Sequence, residues 1–185
     1  MFISHVDTAL EQLVRTRLGL TEDVGEVSFA TPDKDWAARQ TRIAINLFLY
    51  DVQRSSDPAR SAIRTDDDSR RFRRPQPMVR LSYLVSAWAG EPRDEHQLLG
   101  DLVSVVAGID VIPADLTPPA LTSSVRLTLG DDDQPTRDLW QALGGTLRPA
   151  IQLRATVAAD TFAWEAEAPA VERVHAIAER MHRDG

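Results

Sequence analysis

RIAINLFLYDV, residues 42–52, carries apolar side chains on both sides of an extended chain. Ile43, Ile45, Leu47 and Leu49 face one way, and Ala44, Phe48, Tyr50 and Val52 face the other. A strand that is apolar on both faces needs cover on both, which places this segment near the middle of a layered sheet. MVRLSYLVSAW, residues 78–88, has the same character, with Val79, Leu81, Tyr83 and Val85 on one face. The two segments are expected to be neighbouring central strands.

Working outward, residues 4–18 carry Val6, Ala9, Leu10, Leu13, Val14 and Leu18 at the spacing of one helical face. Residues 93–106 repeat that stripe with Leu98, Leu99, Leu102, Val105 and Val106, behind an early proline, Pro92. Residues 27–29 make a short strand, 124–129 a third substantial strand and 147–157 a fourth. Between the last two, residues 136–143 form a short helix closed by Gly144 and Gly145. A final helix is expected over 170–181, with Val171, Val174, Ile177, Ala178 and Met181 inward. The elements describe one α/β (α+β) domain, a single mixed sheet of about four main strands flanked by helices.

Residues 53–77 break the pattern. They have no period, an acidic run at Asp66, Asp67 and Asp68, and a basic run at Arg70, Arg71, Phe72, Arg73 and Arg74. A structureless connection longer than about 15 residues inside a compact domain is uncommon and usually functional. It is expected to be a solvated loop that orders against a neighbouring molecule, with serine tolerated at its arginines. A mixed-charge segment around one aromatic suits a protein contact. Stacking on nucleic acid is the rival, and the aspartates just before the run nearly cancel its charge.

Composition narrows the chemistry. The chain has 185 residues, net charge −7 and no cysteine, so disulfides, thiolate catalysis and cysteine-held metal are excluded. The acidic balance argues against a nucleic-acid binder. No window reaches the roughly 18 apolar residues of a membrane span, and residues 1–20 lack the unbroken apolar run of a signal peptide. No membrane insertion is expected. Lys34 is the only lysine among 21 basic residues, reflecting either base composition or the use of arginine forks at interfaces.

Candidate metal ligands read more simply as surface polarity. His175, Glu179 and His182 share one face of the expected last helix, the side that must be polar in any case. Asp66–Asp68 and Asp131–Asp133 lack the ligand register of a calcium loop. No phosphate-binding glycine motif and no nucleophile elbow occurs. His5 and His96 both sit in polar helical contexts. No catalytic residue, metal ligand or cofactor is assigned.

Four segments occur in an order that resembles a bacterial family. They are VSFATP at 27–32, INLFLYDV at 45–52, MVRLSYLVSAWAGEPRDEHQLLGDLV at 78–103 and LWQALGGTLRPAIQLRATV at 139–157. Together with the N-terminal helix they resemble the capping, or tail-terminator, proteins of phage-tail-like contractile injection systems. Ser86 stands where the family has threonine, and Ala150 where it has serine. The resemblance implies a phage tail-terminator-like fold, a hexameric ring, and inner-tube and sheath proteins as partners. It further implies no active site, and a place in the bacterial cytoplasm as part of an assembled particle. On this view residues 1–158 form the capping domain, and 159–185 an extension, expected as a helix on the same domain. Arg70, Arg71, Phe72, Arg73 and Arg74 are the candidate contact residues. An assembly chaperone or adaptor of the same particle, and a small hydrolase with a dispersed triad, are the alternatives.

Overall fold

The structure, a computed structural model, describes residues 2–58, 62–66, 69–130 and 136–166. Its centre is a five-stranded mixed sheet. The strands, named in chain order around a separate hairpin, are β1 (Gly25–Ser28), β2 (Ile43–Arg54), β5 (Met78–Trp88), β6 (Arg126–Leu129) and β7 (Ala150–Ala158). They lie in the order β1-β2-β5-β7-β6; β1 runs parallel to β2, and every other pair is antiparallel.

The two segments with apolar faces are neighbours, as their patterns require, and β5 is the middle strand. Every β5 residue from Leu81 to Trp88 is buried. Cover on one face comes from α1 (Phe2–Leu18) and α3 (Pro92–Ala107). Their Leu10, Leu13, Leu102 and Val106 pack on Ile45, Leu47, Leu81, Val85 and Leu153 of the sheet. Each fully buried side chain of this kind contributes roughly 1.5–3 kcal/mol, so this layer supplies most of the fold's driving force.

The opposite face is covered by two short helices, α2 (Lys34–Arg39) and α4 (Thr136–Ala142), which set Trp36, Leu139 and Trp140 on Ala44, Leu84 and Trp88. The α2 helix has no periodic signal because it is six residues long. It is held by a cap, the Asp33 carboxylate accepting from the Trp36 N–H at 2.7 Å. The α4 helix stops as its glycines suggest. Gly144 takes φ +65, and a side chain at Gly145 would press on the Trp140 ring.

Four expectations need correction. Residues 53–77 are not a structureless loop: β2 runs on to Arg54, and β3 (Ala62–Asp66) pairs antiparallel with β4 (Ser69–Arg73). With β8 (Glu165–Ala166) they make a second sheet in the order β3-β4-β8. A two-stranded hairpin of charged residues has no apolar alternation to announce it. Val52 does not share a face with Tyr50. The register shifts between Leu49 and Asp51, so Val52 pairs with Leu81 and is turned to the helix-covered face, beyond the helices' reach. The third strand is shorter than expected, and the fourth starts at Ala150 because Pro149 has no N–H for the ladder. The helix expected over 170–181, with His175, Glu179 and His182, lies outside the described residues, as do Asp67, Asp68 and Asp131–Asp133.

One polar bond ties the helical layer to the central strand. The Tyr83 hydroxyl donates to Asp7 Oδ1 at 2.8 Å. Burial raises the Asp7 carboxyl above its usual value, and the Tyr83 bond partly offsets this; burial and the Asp7 charge raise the Tyr83 phenol. A carboxyl raised in the folded state contributes its stability below its unfolded value and loses it as pH rises through the folded one. Asp7→Asn, which keeps an acceptor for Tyr83, removes that loss. Urea unfolding should therefore show the variant gaining on the wild-type chain from about pH 4 upward to a plateau. A difference that is flat with pH would contradict this.

Candidate assembly interface

Three tryptophans meet at one end of the sheet. Trp36 stands edge-on to Trp88, with centroids 4.8 Å apart and planes at 82°, and Trp140 meets Trp88 at 6.4 Å and 63°. The Trp88 N–H donates to Ser86 Oγ at 2.9 Å. Over the Trp88 ring, at 3.9 Å, lies the guanidinium of Arg148. That guanidinium also pairs with Glu95 in the first turn of α3, whose Oε1 accepts the Ala89 N–H at 3.3 Å. The residues that carry the family resemblance in separate segments, Trp88, Glu95, Trp140 and Arg148, are thus one cluster in space. It closes the end of the sheet and holds the α3 start against the entry to β7.

A second cluster lies where the hairpin joins the main sheet. Arg73, the fourth residue of the basic run, is only 7% exposed. Its Nε–H donates to the Phe162 carbonyl at 2.7 Å, one terminal nitrogen to Thr122 Oγ1 at 2.7 Å, and the other to Asp160 Oδ1 at 3.1 Å. Gln76 is also buried; its amide donates to the Phe162 carbonyl at 3.1 Å and accepts the Phe162 N–H at 3.0 Å. The Trp164 ring lies 5.7 Å from the Arg73 guanidinium. Asp160, at φ 47, bends the chain there, and β8 then pairs with β4 through Phe72↔Glu165 and Arg71↔Ala166. Beside this knot opens a pocket of about 210 Å³, walled by Pro58, Met78, Ala158 and Trp164, with the Asp57–Arg126 ion pair (2.7 Å) in its lining.

Residues 5–173 match the family model described as the Pvc16 N-terminal domain. The chain belongs to the Pvc16 N-terminal domain family. No curated protein matches it. Among solved structures it is similar to the PVC sheath/tube terminator of an extracellular contractile injection system in the extended state. That likeness has a TM-score of 0.63 at 16% identity, covering 99% of this chain and 64% of that one. It is also similar to the tube-terminating cap of the anti-feeding prophage, with a TM-score of 0.55 at 17% identity, covering 96% of this chain and 60% of that one. The chain therefore spans less than two thirds of either, and at such identities the likeness is one of fold.

In this Pvc16 N-terminal domain the residues of the basic run have different surroundings. Arg70 pairs in the ladder with Thr65, and Arg71 with Arg64. Arg71 is exposed, and Phe72 is 37% exposed. Arg74 is exposed, pairs with Glu165 at 3.1 Å and lies 5.9 Å from the Phe162 ring. Of residues 71–74, Arg73 alone is buried. Sequence reading missed Thr122, Asp160, Phe162, Trp164 and Glu165, which come from distant segments and carry no periodic signal. Neither His5 on α1 nor His96 on α3 lines the pocket. Among the described residues, no group of three or more His, Cys, Asp or Glu is placed to hold a metal ion.

Serine is therefore not equally tolerated along the run. Arg73→Ser removes three hydrogen bonds of a nearly buried guanidinium, leaving the Phe162 carbonyl to Gln76 alone and Asp160 without its ion pair, and should cost about 2 kcal/mol in chemical unfolding. Arg71→Ser, at an exposed position, should stay within about 0.5 kcal/mol of the parent. Equal losses for the two would show that the Arg73 knot contributes nothing.

Proposed function

We propose that this protein is a structural cap of a contractile injection particle, a ring that ends growth of the tube and sheath at the end distal to the baseplate. The observation that carries the reading is the fold likeness to a sheath/tube terminator along 99% of the chain, beside the match of residues 5–173 to the Pvc16 N-terminal domain. The mechanism is geometrical. A stacked polymer presents an unsatisfied interface at its growing end, and a ring complementary to that end on one face only leaves nothing to extend. Six weak contacts acting together bind far more tightly than one, which suits a hexamer.

The polar clusters support this use. Both tie elements to one another, through Arg148–Glu95 and through Arg73, and so hold a shape. On this reading the chain is not an enzyme and needs no cofactor, and its place is the cytoplasm of the bacterium that builds the particle. Residues 159–185 serve the same domain as an extension; the contacts of Asp160, Phe162 and Trp164 with Arg73 support that assignment.

Particles assembled without this chain test the reading. Electron microscopy should show tubes and sheaths of uncontrolled length, or no stable particles. In intact particles the labelled chain should sit at one end in about six copies, as a closed ring requires. A chain that is absent from finished particles yet needed to build them is a chaperone instead. Particles of normal number and length without the chain would refute both.

A further inference from the structure

We propose that Phe72 is a knob that enters the pocket beside Arg73 in a second copy of this chain, so that copies join head to tail. The inference rests on the ring reading and names the contact that would build the ring. Strand alternation is its foundation. In β4 and β8, Arg73 and Trp164 face the pocket, whereas Phe72 and Glu165 project from the reverse side of the same three-stranded sheet. Knob and pocket therefore lie back to back. Across a two-fold axis both would have to meet in one patch, which this arrangement forbids. Contact between them is heterologous and propagates from copy to copy until a ring closes.

Size and chemistry agree. A cavity of roughly 150 Å³ already holds benzene, so a pocket of about 210 Å³ has room for a benzyl side chain, which would lie on Pro58, Met78, Ala158 and Trp164 within a rim of polar residues such as Ser124 and Arg126. The pocket's most buried cation is already held, because Arg73 directs all three of its nitrogens to Phe162, Thr122 and Asp160. On the side of the knob Arg74 is exposed; around the pocket stand the carboxylates of Asp57 and Asp160, each able to accept more bonds than it receives here. A single exposed aromatic is ordinary. One that stands beside an exposed arginine, Arg74, and is backed by a pocket of its own size on the same sheet has the form of an interface anchor.

The absence of cysteine makes the test clean. Full-length chains carrying Phe72→Cys or Ser124→Cys, the latter in the pocket lining, are prepared separately, mixed and oxidised. The mixture should give a covalent mixed dimer, which neither chain forms alone. In sedimentation the wild-type chain should assemble, and Phe72→Ala should weaken assembly at least about 30-fold, the scale of an interface hot spot, with an unchanged melting temperature. If the wild-type chain assembles while Phe72→Ala assembles equally well, or the mixed pair fails to cross-link, the knob is wrong and the ring reading stands. If the Ser124→Cys thiol is shielded in dilute monomer, the pocket is filled by the chain's own residues 167–185, which also overturns the proposal. A wild-type chain that is monomeric at every concentration removes the ring and the knob together.

Discussion

The eight residues of β5 from Leu81 to Trp88 meet no solvent on either side, and this two-sided burial constrains the rest of the molecule. A strand in that position needs partners on both edges, supplied by β2 and β7, and a layer against each face. Its register is tightly specified. A slip of one residue would exchange Leu81, Tyr83, Val85 and Ala87 for Ser82, Leu84, Ser86 and Trp88, turning serines into the helix-packed core and a tryptophan after them. The helices can thus be placed from the strand outward: the two long amphipathic ones on the face with the continuous apolar surface, the two short ones where Trp88 needs cover.

Burial on this scale forces the polar groups it traps to find partners, and most do. Tyr83 meets Asp7, Trp88 meets Ser86, and the Asn46 amide donates to the Ala30 carbonyl at 2.9 Å. Among the described residues three atoms do not: Asn46 Oδ1, Arg80 Nε and Trp140 Nε1 are buried with no hydrogen-bond partner. Each such atom forgoes roughly 1–3 kcal/mol. Asn46 and Trp140 belong to the side of the sheet covered by the short helices, where fewer apolar contacts are available to offset the loss. That layer is the less stable of the two.

The second sheet relates to this body through one side chain more than any other. β3 and β4 pair with each other and with β8, while the main sheet is a separate set of ladders. Arg73 spans the gap, gripping Thr122 next to the main sheet and Asp160 and Phe162 on the way into β8. A guanidinium with three fixed bonds is a planar fork whose direction is set. The orientation of the hairpin, and of Phe72 on its outer side, follows from it. A surface held this firmly loses little ordering entropy on contact with any partner.

Sequence by itself determined the class of fold, the adjacency of β2 and β5, and the two long helices. These depend on periodic burial, which a chain writes as alternation every second residue or every three to four. It also marked the segments whose resemblance pointed to a family. Tertiary structure decided everything that depends on a single, non-periodic meeting. One residue of bulge sent Val52 to the opposite face. A capping aspartate and one tryptophan made α2. Five similar letters in the basic run divided into a buried clamp at Arg73 and exposed groups around it, a division that required Thr122, Asp160 and Phe162 to arrive from 49, 87 and 89 residues away. A pattern along the chain reports which face a residue shows to its own element; what waits opposite that face is set only when distant segments pack.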